Sequence, residues 1–486
     1  MQDTEIFIMA TRWIFLVALG YYAMVNLQWY HYKIKRVLFK HHKQRWHFFY
    51  FVLPIFYFLF IPNDIYFYAG LYCYLLALGI WIVNLSKKLV PTGRVLRFFG
   101  FYIAFIIFNE LLLFGRQENS LIWQCIYLLP LFISIFVSSL TETILLNRYK
   151  NLAKEKLESL QNLTIIAVTG SYGKTSLKNY LAQILQESFK VYSTPRSVNT
   201  LTGIIADINQ NLSPLMDIYI VEAGARGSGD IREIIELISP QIAVVGKIGE
   251  AHLEYFKTLE NIYRTKYEIL ESKRLKTAYI YQGNTPPSNP PATIINFPHN
   301  ASNIQATLQE TRFSLQVKDE VLDFQTNILG AFNVINISAA VAVGSDLGIS
   351  NTRLIKQVKK LEPTNHRLSK IVVNDKIILD DSYNGNLEGM LEAIRLSSLH
   401  PGKKIIVTPG LVESSKEANI KLAKAIDTVF DLVIITGELN ANLLRQNIQN
   451  AQKILLKDKT NIEHILKSAT HGGDLILFAN DAPSYI

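Results

Sequence analysis

A chain of 486 residues is too long for one domain, and its formal net charge of +9 is not spread along it. Residues 1–150 carry 14 Lys and Arg against 6 Asp and Glu, a net of +8, which leaves +1 for residues 151–486. The basic balance belongs to a stretch of long aromatic and aliphatic runs, so it reads as charge flanking membrane spans and not as a nucleic-acid surface.

Five apolar stretches, roughly residues 10–30, 46–61, 65–85, 98–114 and 121–146, are spans when judged against the ~20 residues a bilayer needs, the second and fourth being short. Basic residues follow the first (Lys33, Lys35, Arg36, Lys40, Lys43, Arg45), the third (Lys87, Lys88, Arg94, Arg97) and the fifth (Arg148, Lys150, Lys154, Lys156). Acidic Asp3, Glu5, Asp64 and Glu118 fall on the other side, so the positive-inside rule predicts an outside N-terminus and a cytoplasmic C-terminal half. The acidic start and the extended hydrophobicity fit a cleavable signal peptide poorly. Cys73 and Cys125 lie in apolar spans and read as packed or lipid-facing thiols. Glu110, near the end of the fourth span, either serves a lipid or proton site or reaches the outer interface.

From about residue 150 short apolar strands alternate with amphipathic helices. Strands are predicted at 163–169, 216–222, 241–245 and 276–281, and helices near 175–188, 230–238 and 258–271. A second series follows at 371–379, 404–408, 431–436 and 474–478. The order predicts an α/β fold with a doubly wound parallel central domain and a smaller Rossmann-like C-terminal domain. The domain bounds are 1–146, 147–362 and 363–486, with a break near Pro363. The Pro- and Asn-rich stretch 282–301 reads as an exposed loop.

The most informative segment is LTIIAVTGSYGKT at 163–175, a β-branched strand that breaks into glycine, then Lys174 and Thr175, then a helix. A strand, a glycine turn and a helix N-terminus make a phosphate cradle. Gly170 and Gly173 permit the turn, with Ser171, Tyr172 and Ser176 completing the loop; Lys174 would bridge the terminal phosphates and Thr175 hold Mg²⁺. Val168 stands where the first glycine of the longer Walker pattern belongs, so an ordinary strand-to-helix turn remains the plain alternative. Ligands in such sheets lie at the carboxyl ends of strands. Glu222 ends the strand before AGARGSGDI, where it binds Mg²⁺ or caps a loop. His252 follows the next strand, as a ligand or a structural imidazole, and Lys266 sits one helix further on.

The ordered set TGSYGKTS, VEAGARGSGDI, PQIAVVGKIGEAHLEYFKTLENIYRTKYEIL, LGAFNVINISAA, NHRL and DDSYNGN resembles the Mur ligases, and among them the MurF branch, over about residues 160–413. The resemblance implies an ATP-dependent ligase that adds D-alanyl-D-alanine to UDP-N-acetylmuramoyl-tripeptide, with ATP and Mg²⁺. It implies Lys174 on the ATP phosphates, Thr175 and Glu222 on one Mg²⁺, and His252 on a second beside a carbamylated Lys266. It further implies Asn336 at the adenine, Arg367 and Asp381 closing over the γ-phosphate and ribose, Asn199 at the sugar-peptide, and Tyr383, Asn384 and Asn386 near the dipeptide. The sequence departs from the family in four places. Phe332 replaces a histidine, Lys247 an asparagine, the last strand ends FANDAPS without Lys-Gly-Ser, and apolar spans stand in place of the N-terminal UDP-binding domain. Those spans keep open a lipid-linked muropeptide as substrate, and membrane lipid as a partner. A transport ATPase is the remote alternative, because apart from Glu110 and Arg12 the spans carry few ionisable groups. Nothing in the sequence fixes the oligomeric state.

Overall fold

The computed structural model describes residues 2–30, 32, 34–39, 45–61, 65–85, 88–113, 121–196, 198–250, 256–286, 292–383, 385–412, 414–456 and 461–480. Two compact units, Met1–Arg148 and Tyr149–Ile486, divide the chain.

The first unit is helical. Among the described residues, four helices are long and apolar enough to cross a membrane: Ile6–Trp29, Tyr66–Val83, Gly93–Leu113 and Leu121–Ser159. The second expected span is the shorter apolar stretch Arg45–Phe60, which includes a π-helical segment Phe48–Val52. At 1.5 Å per residue it reaches roughly 24 Å, less than the ~30 Å hydrocarbon core. Phe15, Leu19, Phe98, Tyr102 and Leu131 fill the interior, while Ile80, Val83, Leu111, Ile122 and Phe136 face outward. Such an apolar exterior suits lipid as its solvent. Glu110 takes the Arg12 guanidinium at 3.0 Å and the Trp13 indole N–H at 3.3 Å, and Arg12 also lies 3.7 Å over the Tyr127 ring. Of the flanking charges, Lys33, Lys40, Lys43, Asp64, Lys87 and Glu118 lie outside the described residues.

Among the described residues the second unit holds three sheets. The first comprises β1 (Thr164–Thr169), β2 (Val191–Ser193), β3 (Ile218–Glu222), β4 (Ile242–Val245), β5 (Thr277–Tyr281) and β6 (Thr293–Phe297), in the order β2-β3-β1-β4-β5-β6. Every pairing is parallel. β1, β3 and β4 are covered on both faces, which is why they read as unbroken β-branched runs. Helices Lys174–Leu185 and Asn333–Asp346 close one face through Leu181, Ile184, Ile337 and Val341. The stretch 282–301 is not all loop: its TIINF run pairs with β5 as the parallel edge strand β6. An edge position tolerates the prolines around it.

A small antiparallel sheet follows, β7 (Ser302–Ala306), β8 (Thr311–Val317) and β9 (Glu320–Thr326). The third sheet comprises β10 (Ser369–Val373), β11 (Lys376–Asp381), β12 (Lys404–Thr408), β13 (Leu432–Thr436), β14 (Gln452–Leu456) and β15 (Leu475–Ala479), in the order β10-β11-β15-β12-β13-β14. The single strand expected at 371–379 is a hairpin, with β10 and β11 antiparallel across Asn374 and Asp375 at φ 48° and 57°. Two consecutive left-handed residues make the tight turn that Asn and Asp tolerate and that joins antiparallel strands.

The last turns of Leu121–Ser159 belong to this second unit. Ala153 and Leu157 are buried, and the Lys156 ammonium donates to the Ile208 and Asn209 carbonyls at 2.7 and 3.3 Å, at the end of helix Leu201–Asn211. Burying one leucine contributes about 1.5–3 kcal/mol. A fragment starting at Tyr149 is therefore expected to exceed one starting at Leu160 by roughly 2–4 kcal/mol in urea denaturation. Equal midpoints would show that the segment adds nothing.

Candidate active site

β1 stops at Thr169, and two glycines make the turn. Gly170 has φ 152°, and a side chain there would press on Gly246 at 3.3 Å. Gly173, at φ 72°, is the left-handed residue before helix Lys174–Leu185, and a Cβ there would come 2.9 Å from the Asn336 amide. The loop after β4 braces the turn: the Lys247 carbonyl accepts from Ser171 N–H at 2.9 Å, and the Gly249 carbonyl accepts from the Ser171 hydroxyl at 2.9 Å. The helix thus opens its unpaired N–H groups on a fixed loop. The Lys174 ammonium folds over it, donating to the Gly170 and Ser171 carbonyls at 3.0 and 3.3 Å. Burial holds its pKa below the ordinary lysine value, with Glu222 opposing and Arg367 reinforcing the shift.

Glu222, at the end of β3, is 1% exposed. One of its oxygens accepts from the Thr175 hydroxyl at 3.0 Å and the other from the Asn199 amide at 3.0 Å. A hydroxyl and a carboxylate side by side next to a phosphate cradle are the hard oxygen donors Mg²⁺ prefers, so these residues fit that ion. Among the described residues no three His, Cys, Asp or Glu side chains gather into a metal-binding group. His252 and Asn384 lie outside the described residues.

Lys178 was not legible as a site residue, yet it organises this corner. It is 1% exposed, 3.8 Å from Glu222, and donates to the Thr194 and Arg196 carbonyls at 2.5 and 2.7 Å. It therefore ties the phosphate-loop helix to the segment that delivers Asn199. The signal was a lysine four residues after Lys174, on the inward face of the helix. Removing one partner of a buried ion pair strands the other charge, so Lys178→Ala is expected to cost about 3–5 kcal/mol of stability in urea titration. A loss under about 1 kcal/mol would mean that Glu222 is compensated without it.

Lys266 sits in helix Leu259–Tyr267, 3% exposed. Burial, and after it the Lys174 charge, pull its pKa down to about 7 against Asp230, Glu222 and Glu268. Two of these carboxylates hold the AGARGSGD loop. Asp230 accepts from Arg226 and Gly227 N–H at 2.8 and 2.9 Å, and Glu268 from Gly229 and Arg232 N–H at 2.8 and 3.0 Å.

Ser171, Tyr172, Gly173, Lys174, Thr175, Ser176, Asn199 and Glu222 line a cleft of about 440 Å³ whose other wall carries Asn336, Arg367, Asp381, Tyr383 and Asn386. Arg367 donates to the Tyr383 carbonyl; burial lowers its pKa and Asp381 is the main opposing charge. Asn386 caps helix Leu387–Ser398, accepting from Gly389 N–H at 2.8 Å. Tyr383 is 58% exposed at the mouth. Lys247 and Glu388 form an ion pair across the cleft rim. Phe332 lines the cleft and packs against the core of the C-terminal sheet. Gly170 and Lys266 do not line the cleft, but the former sets the loop and the latter feels the charges of Lys174 and Glu222.

Residues 168–344, from the end of β1 through helix Asn333–Asp346, match the Mur ligase middle domain. This central segment is a Mur ligase middle domain. The chain is 29% identical over 351 residues, 68% of the chain and 76% of the relative, to the UDP-N-acetylmuramoyl-tripeptide--D-alanyl-D-alanine ligase of Bacillus subtilis. The Escherichia coli enzyme of the same name is 28% identical over 52% of the chain and 59% of its own length. Among solved structures, MurF ligase from Thermotoga maritima in complex with ADP superposes with a TM-score of 0.61 at 26% identity, covering 69% of this chain and 80% of that one.

Proposed function

We propose that the chain is an ATP-dependent amide ligase that joins D-alanyl-D-alanine to UDP-N-acetylmuramoyl-tripeptide. The observation that carries this reading is the meeting, in one cleft, of the phosphate loop and the Thr175–Glu222 pair on one wall with Arg367 and Asp381 on the other. The γ-phosphoryl of ATP passes to the tripeptide carboxylate, giving an acyl phosphate and ADP. The dipeptide amine then attacks the acyl carbon, phosphate leaves with the bonding electrons, and the amine loses a proton. Both steps concentrate negative charge, which fixed cations stabilise best in a site closed to water.

Lys174 and Arg367 approach the phosphoryl group from the two walls. Thr175 and Glu222 would hold Mg²⁺, whose charge neutralises phosphate oxygens. Asn336 lies where the adenine would rest and Asp381 near the ribose. Asn199, fixed to Glu222, is assigned to the sugar-peptide, and Tyr383 and Asn386 to the dipeptide, as is Asn384 by its place in the sequence. His252 and a carbamate on Lys266 would complete a second metal position. The domain assignment is membrane region 1–146, ATP-binding domain 147–362 and closing domain 363–486. The four apolar helices support a multi-pass protein of the bacterial plasma membrane with its catalytic half in the cytoplasm. They also favour a second reading, a lipid-linked muropeptide as the acid substrate. Mass analysis of product from the soluble UDP-linked and the lipid-linked tripeptide separates the two. Pentapeptide from neither would reject the ligase reading.

A further inference from the structure

Arg367 lies in a turn between helix Asn351–Lys359 and β10 whose backbone is unusual on both sides of it. His366 and Leu368 have φ 63° and 56°, a left-handed conformation that side chains with a Cβ rarely adopt and that persists only where surrounding contacts over-determine it. Those contacts are present. The His366 ring donates from Nδ1 to Asp380 Oδ2 at 2.7 Å. Asp380 is 2% exposed, and its other oxygen accepts from the Ser382 hydroxyl and from Ser382 N–H. The His366 carbonyl accepts from Tyr383 N–H at 3.2 Å, the Tyr383 carbonyl accepts from the Arg367 guanidinium, and the His366 ring stands edge-on to Tyr383 at 4.9 Å. Leu368 is buried in the C-terminal core. The turn and the 380–383 segment are thus stitched together by the arginine's own bond to Tyr383 and, from the residue next to it, by the histidine–carboxylate pair.

We propose that His366 and Asp380 are a positioning pair that locks the 364–368 turn and so holds the Arg367 guanidinium facing the phosphate loop from the opposite wall of the cleft. Only the destination of the arginine rests on the ligase reading; the lock itself does not. Arg367 has a long, flexible side chain on a short turn. Without the lock its direction would average over several rotamers, and a misplaced cation loses the transition-state interaction while leaving substrate binding in place. His366 acts through Arg367 and touches no reacting atom.

The test uses the full-length protein and three variants, His366→Ala, His366→Asn and the double variant His366→Ala/Arg367→Ala, with Arg367→Ala as reference. Asparagine places an amide N–H close to where histidine has Nδ1, so it can restore the bond to Asp380. His366→Ala is expected to lower kcat roughly tenfold or more with the KM for the acid substrate unchanged, and His366→Asn to stay within about threefold of the wild type. The double variant should be no slower than Arg367→Ala alone, because the histidine works only through the arginine. Limited trypsin digestion, read by mass at the Arg367–Leu368 bond, should run about tenfold faster in His366→Ala and at the wild-type rate in His366→Asn. Normal turnover in His366→Ala, a full further loss in the double variant, or unchanged cleavage after Arg367 would each overturn the proposal. An inactive wild type would overturn the ligase reading instead, with the proteolysis still deciding whether the pair locks the turn.

Discussion

Replacing Lys174 by alanine is expected to slow phosphate release at least ~10²-fold while leaving the melting temperature nearly unchanged, the scale of losing one donor aimed at developing charge. The lysine stabilises little in the fold, since its ammonium reaches only the carbonyls of its own loop at 3.0 and 3.3 Å. With Arg367 it also faces the cleft, the two cations standing on opposite walls. Loss of both activity and folding would make it a structural lysine, and near-normal turnover would remove the phosphate-loop assignment altogether.

The second large effect is expected at Lys266. With a folded pKa of about 7 against ~10.4 in the unfolded chain, the native state holds fewer protons than the unfolded one between those values. Stability should therefore rise with pH from about 7 toward 10, and the cost of burying the ammonium should be fully present below pH 7. Lys266→Met removes that cost. In bicarbonate-free buffer it should be more stable than the wild type at pH 6, by a margin that narrows as pH rises, read from urea midpoints. For catalysis the same depressed pKa leaves a large neutral fraction at pH 7–8, and a neutral amine is the form that takes up CO₂. Lys266→Ala should lose at least ~10² in turnover and recover part of it with added short carboxylates, which return the missing negative charge. Full activity in Lys266→Arg would show that no negative charge is needed there.

Much of this site was legible because its chemistry is local. TGSYGKTS announces itself by glycines at a strand end, and Glu222 by closing a buried apolar strand, so their meeting follows from parallel-sheet topology. Lys178, Asp380 and the Lys247–Glu388 bridge were not legible. A lysine only 1% exposed is rare, and the carbonyls of Thr194 and Arg196 together with the Glu222 carboxylate, all distant in sequence, make that position tolerable. Asp380 looked like a neighbour of Asp381, but strand alternation sends consecutive side chains to opposite faces, and its partner His366 lies across the hairpin. The hairpin itself was hidden because Asn374 and Asp375 interrupt an apolar run that otherwise reads as one strand. β6 was masked by the prolines around it, which an edge strand accommodates.

The most direct test of the central claim is phosphate release by the purified full-length protein with ATP, UDP-N-acetylmuramoyl-tripeptide and D-alanyl-D-alanine, each omitted in turn. The acyl-phosphate route predicts steady release only with all three present, matched mole for mole by pentapeptide. Equal release from ATP alone, with neither peptide substrate, would contradict it.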